Sequence, residues 1–196
     1  MNVKGTAFLA RKLLLERQFG EDSAKRMLEE AVAAVPEFPP LVLASTSIPM
    51  TPFLALQDEL LRRHFANDPK SFFQFGEMSA DWALVKGPYK GLAANKDIDG
   101  FATQGAALFR TYFDTGTAAT SMHGDHITYR IDDIPKAFRH VYVEYPTLGY
   151  FTRALEILGA THVETRRIRG FSIGSDDVFY EIYFRRAPIS AKKGDF

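Results

Sequence analysis

The chain has 196 residues, 46% of them hydrophobic, enough to bury a sizeable core without disulfides or a structural metal. It contains no cysteine, which excludes disulfides, thiolate zinc sites, iron–sulfur clusters and cysteine nucleophiles. Lys plus Arg and Asp plus Glu each number 24, so the formal net charge is zero and no overall positive field draws in nucleic acid.

The opening segment meets Arg11-Lys12 before a long apolar run has accumulated, and no later stretch reaches the ~18 apolar residues of a spanning helix. A cytoplasmic protein without membrane insertion is expected. Residues 6–19 read as a first helix, with Gly20 suited to a left-handed position after it. A second helix over 22–35 carries Ala24, Met27, Leu28, Ala31 and Val35 on one stripe and ends at Pro36. The Pro-rich segment 36–52 reads as a crossing loop whose Leu41-Val42-Leu43-Ala44 should be buried or form a short turn of helix. Thr51-Pro52 and Asp68-Pro69 each place a capping acceptor before a proline, predicting helices over 51–65 and 69–85. Phe72, Phe75, Ser79 and Trp82 line up on the second of these. A further helix over 98–113 presents Phe101, Gly105, Leu108 and Tyr112, with Phe109 beside them; Gly105 suggests a close helix contact or merely a tolerated cost.

The period then changes. Residues 117–122 and 126–131 read as strands of a hairpin around His123-Gly124-Asp125. Residues 139–143 fit a strand or the approach to a helix. The stripe Leu148, Phe151, Leu155, Leu158 predicts a helix over 146–158, with Pro146 near its start. Strands over 161–169 and 178–185 follow, the latter with Val178, Tyr180, Ile182 and Phe184 on one face. Its aromatics on both faces place it inside the sheet or at an interface. The expected organisation is one α+β domain over 1–186, a helical layer on a mostly antiparallel sheet of four or five strands with one inserted helix, followed by a loose tail at 187–196.

Few residues nominate themselves for chemistry. His123, Asp125 and His126 are suitable donors, but the two histidines flank the reversal and need not point the same way, so no metal site is assigned. The glycines around Gly170 and Gly174 lack a GK[ST] ending and lie between strands, which speaks against a phosphate loop. No GxSxG elbow is present, and no catalytic residue is assigned. Arg166, Arg167 and Arg169 form a basic cluster that reads first as solvated surface and otherwise suits an anion or a protein partner; Arg166 should alternate away from the other two. The unusual feature is aromatic content, 13%, with 17 Phe and 8 Tyr. The inward rings fit a solid aromatic core first; if they leave an apolar pocket between the helices and the sheet, Phe75, Trp82, Phe109 and Tyr180 are the candidates for lining it.

The segments Val3-Lys4-Gly5-Thr6, Phe72-Phe73-Gln74-Phe75-Gly76, Tyr112-Phe113-Asp114-Thr115-Gly116 and Phe151–Ala160, followed by Gly174-Ser175-Asp176-Asp177 and Tyr180–Phe184, carry a resemblance in their order and spacing. The chain resembles a myxobacterial-type family of similar length, related to the haem–nitric-oxide-binding and vinyl-reductase-like ligand domains. The resemblance implies their α+β ligand-domain fold and a regulatory setting. The haem-binding relatives carry an iron-ligating histidine ahead of the sheet and a later Tyr-x-Ser-x-Arg motif. Here no histidine lies between His64 and His123 and that motif is missing, so no cofactor is expected. The function expected is a non-enzymatic sensory or adaptor domain taking an apolar small molecule. The alternatives are a ligand-free module for a protein partner or homodimer, and an enzyme with a polar cleft near His123, Asp125 or His140.

Overall fold

Apolar residues recurring at three and four positions build the first half of the chain into helices, and alternation at two positions builds the sheet that follows. The computed structural model describes residues 1–87 and 89–186; the expected tail at 187–196 and Pro88 lie outside the described residues. The helices are α1 (Gly5–Phe19), α2 (Glu21–Ala33), α3 (Met50–His64), α4 (Lys70–Val85), α5 (Lys90–Asn95), α6 (Ile98–Tyr112) and α7 (Val141–Ile157). The strands are β1 (Asn2–Lys4), β2 (Ser47–Pro49), β3 (Thr117–His123), β4 (His126–Asp132), β5 (Ala160–Arg169) and β6 (Val178–Arg186). No helix is long and apolar enough to cross a membrane among the described residues.

β3, β4, β6 and β5 form one antiparallel sheet in that order, with β6 inside it, one of the two placements its two-faced aromatic pattern allowed. The register pairs Ile127 with Ile182, Tyr129 with Tyr180 and Ile131 with Val178, so two alternating apolar sets meet on one face. That face packs against α6 and α7. Phe151 of α7 fills the middle, its ring 4.9 Å from Tyr129 and 5.1 Å from Phe101.

Several boundaries differ from expectation for identifiable reasons. β1 and β2 pair with each other and are too short, at three residues each, to carry a pattern. Because β2 runs directly into α3, that helix starts at Met50 without a side-chain cap, and Thr51 does not act as one. Pro52 is still tolerated, since the first-turn N–H groups have no intrahelical partner. Asp68 does serve its helix: Oδ1 accepts from the Lys70 N–H at 2.9 Å. Gly20 takes the expected positive φ, +81°, but an extended ψ, and joins α1 to α2 without a loop. Leu41 and Leu43 are exposed, contrary to the expected burial. Their segment packs through its backbone instead: the Leu43 carbonyl lies where a Cβ on Gly5 would come within 2.0 Å.

The ambiguous segment 139–143 opens α7, which begins five residues before Pro146. His140 caps it, Nδ1 accepting from the Tyr142 N–H at 3.0 Å. That bond leaves the imidazole proton on Nε2, 3.1 Å from Asp58 Oδ1.

Gly105 makes the close contact expected of it, against a side chain of α7. A Cβ there would come within 2.3 Å of Phe151 Cζ and 3.2 Å of Thr120 Cγ2. Gly105→Ala should therefore lower stability by about 1–3 kcal/mol through overpacking, exceeding the ~1 kcal/mol that alanine gains over glycine in an open helix. Urea unfolding reads this directly; a midpoint at or above that of the parent would contradict it.

Candidate functional site

The interior of the helical half is not filled. α1, α4, α6 and α7 surround a cavity of about 460 Å³, with Tyr89 beside it. The walls come from the residues that repeat toward the core on each helix. α1 contributes Thr6, Ala7, Ala10, Arg11 and Leu14; α4 contributes Phe75, Ser79 and Trp82; α6 contributes Leu108, Phe109 and Tyr112. Tyr142, Pro146 and Tyr150 of α7 complete it.

The cavity is interhelical, whereas the pocket was expected between helices and sheet, because Phe151 and Tyr129 occupy that interlayer space. Phe75, Trp82 and Phe109 all line it. Tyr180 does not; it lies on the other side of α7, beside a second, more open depression of about 540 Å³ that also touches Lys70, Tyr145 and Arg167. Trp82 sits at the rim, 38% exposed, with the Arg17 guanidinium carbon 5.9 Å from its ring centre.

Arg11 is the group that sequence reasoning missed. It is only 4% exposed although it is charged. Its guanidinium carbon stands 3.6 Å from the centre of the Phe75 ring, with Tyr142 and Phe72 at 5.8 and 5.9 Å. Nε and Nη1 have no hydrogen-bond partner, and no carboxylate is among the residues lining the cavity. Loss of hydration lowers the guanidinium pKa to about 10, so it remains protonated at neutral pH. A desolvated cation–π contact contributes about 2 kcal/mol, while each buried donor left unpaired costs about 1–3 kcal/mol. The rings therefore offset only part of the expense of burying this charge. The clue in the sequence is position: Arg11 stands at i+4 from Ala7 and i−3 from Leu14, on the buried stripe of α1.

Glu144 is the second buried charge, 0% exposed in the first turn of α7. It is fully engaged. Its carboxylate accepts from the Ser172 N–H at 2.9 Å, from Ser172 Oγ at 2.8 Å and from the Tyr180 hydroxyl. Burial and that bond raise the Tyr180 pKa far above its ordinary value. Glu144 thus ties α7 to β6 and to the turn after β5; it is a lone acid in the apolar run Val141–Tyr145.

The arginine cluster is divided by a bulge between Arg167 and Arg169. Arg166 pairs in register with Glu181 and Arg169 with Phe179, so these two share the outer face, while Arg167 turns inward opposite Tyr180. The bulge is why simple alternation misassigned Arg169. Arg169 Nε binds Asp177 at 2.6 Å, Arg166 lies 3.8 Å from Glu181, and Arg167 donates to Ser172 Oγ at 2.8 Å. At the hairpin, His123 and His126 are directly paired and therefore do point the same way, their rings stacked at 5.1 Å. Tyr183 extends the stack from β6. No group of three or more His, Asp or Glu able to hold a metal occurs among the described residues.

No protein-family model matches the chain, and no curated protein matches it in sequence. Solved structures do match. The H-NOX protein from S. oneidensis in its Fe(II)NO state aligns with a TM-score of 0.68 at 11% identity, over 93% of this chain and 99% of that one. The fold is that of an H-NOX domain. The unliganded Fe(II) H-NOX protein from K. algicida gives 0.65 at 14% identity, over 96% and 100% of the two chains. An oxygen-binding H-NOX domain related to soluble guanylate cyclases gives 0.66 at 13%, over 97% and 100%. At these identities the likeness is one of architecture, which agrees with the α+β ligand-domain fold expected from the sequence.

The residues around the cavity do not fit the haem of the haem–nitric-oxide-binding domains. None of its lining side chains is His, Cys or Met. The remaining donor type is tyrosine, and burial raises the pKa of Tyr112, Tyr142 and Tyr150, which opposes a phenolate ligand.

Proposed function

We propose that this protein is a non-enzymatic sensory or adaptor domain whose interhelical cavity takes an apolar small molecule in the absence of haem. The observation that supports this reading is the cavity itself, about 460 Å³ and walled by Phe75, Trp82, Phe109, Tyr142 and Tyr150. Its volume falls within the range of small-molecule sites. A guest that favours one packing of α1 against α4, α6 and α7 shifts the domain toward that arrangement, and a protein partner or second copy reads the altered surface.

The experiment is native mass spectrometry of protein purified without denaturation, combined with Nile red titration. Nile red should bind with stoichiometry one, and Ala10→Phe, which places a ring in the cavity, should weaken it by roughly tenfold or more. Equal binding by both proteins, or a protein that neither retains a compound nor takes up the dye, would overturn the reading. The ligand-free interaction module would then be favoured.

A further inference from the structure

Resting on that cavity reading, we infer that the guest is an amphiphile with one anionic head, a monocarboxylate on a compact apolar body, and that its carboxylate is received by Arg11. The geometry points to this class on two independent counts. The walls are mostly hydrocarbon and aromatic, which selects an apolar body. In their midst is a 4%-exposed guanidinium with Nε and Nη1 unpaired and no acidic side chain lining the same cavity. The ring of Phe75 covers one face of the guanidinium at 3.6 Å, and in the guanidinium plane the Nε and Nη1 N–H groups are without acceptors. A carboxylate meets that need in two ways: it neutralises the charge and accepts from the guanidinium in the plane of its donors. Thr6, whose buried Oγ1 also lacks a partner, lines the same cavity five residues earlier on α1.

Decanoate and decan-1-ol, both below micellar concentration, separate the head group from the body. In Nile red displacement from the full chain, decanoate should bind about ten- to a hundredfold more tightly than decanol. Arg11→Met should abolish that preference while still taking up decanol and Nile red. Arg11→Lys should keep a part of it. Without ligand, Arg11→Met should unfold at the same temperature as the parent or higher, because a buried, unpaired charge is replaced by a side chain of similar length. A structural arginine would give the opposite result.

Equal affinities for decanoate and decanol in the parent protein, or an undiminished preference in Arg11→Met, would overturn the inference and leave the cavity reading standing. Nile red binding that neither amphiphile displaces would do the same. Failure of Nile red itself to bind overturns the cavity reading, and the inference falls with it.

Discussion

Gly149→Ala is expected to lose about 3 kcal/mol of stability, a fall in Tm of roughly 6–12 °C for a chain of this size. The reason is the crossing of α4 and α7. A Cβ on Gly149 would come within 2.0 Å of the Phe73 carbonyl oxygen, and one on Gly76 within 2.0 Å of the Pro146 carbonyl oxygen. Each helix thus offers a glycine to the backbone of the other, and the obstacle in both cases is main chain, which cannot rotate aside. Alanine would gain at most ~1 kcal/mol in helix propensity, too little to offset separating two helices. Gly76→Ala should behave similarly, and the double variant should lose less than the sum, because one separation relieves both clashes. Thermal unfolding checks this, and a Tm for Gly149→Ala within a degree of the parent would refute it.

Glu144→Ala is expected to be at least as damaging, about 3–5 kcal/mol, because it strands the buried Tyr180 hydroxyl and two half-buried Ser172 donors that the carboxylate satisfies. Ser172 loses acceptors for both its N–H and its hydroxyl, and Tyr180 loses its partner inside the core. Glu144→Gln keeps one acceptor oxygen but turns an amide NH₂ toward a donor, so a smaller loss, about 1–3 kcal/mol, is expected. Tyr180→Phe removes a donor and leaves the two Ser172 bonds in place; it should be the mildest of the three. Urea denaturation orders the series, and a loss below about 1 kcal/mol for Glu144→Ala would contradict the assigned role.

The two-layer architecture was readable because burial on one face imposes a period. Val178, Tyr180, Ile182 and Phe184 announced the inner face of β6, and Ile127, Tyr129 and Ile131 that of β4. The helical stripes likewise placed Phe75 and Phe109 inward. Periodicity says which rings turn inward but not whether opposing faces meet, so the cavity moved from the interlayer space to the space among four helices. Tyr180 was grouped with the other rings because it is aromatic and inward, although α7 stands between them. Arg11 and Glu144 escaped notice for a shared reason. Both occupy positions where the pattern expects an apolar residue, and only three-dimensional partners separate a satisfied acid from an unsatisfied base. Arg169 was misplaced by a bulge, which leaves no mark on a two-residue alternation.

The start of α1 and the end of α6 are fastened together. Asn2 donates to Asp114 through its N–H at 2.7 Å and its side-chain amide at 2.8 Å, Val3 bridges to Phe113, and Lys4 Nζ reaches the Arg110 carbonyl at 3.1 Å. These two helices are also facing walls of the cavity. They are joined like the arms of a clothes-peg, clamped where the chain begins; at the other end of α1, Arg17 lies over Trp82 of α4 at the cavity rim. On the proposed reading a guest enters at that end, and the chain's one tryptophan stands there to report it.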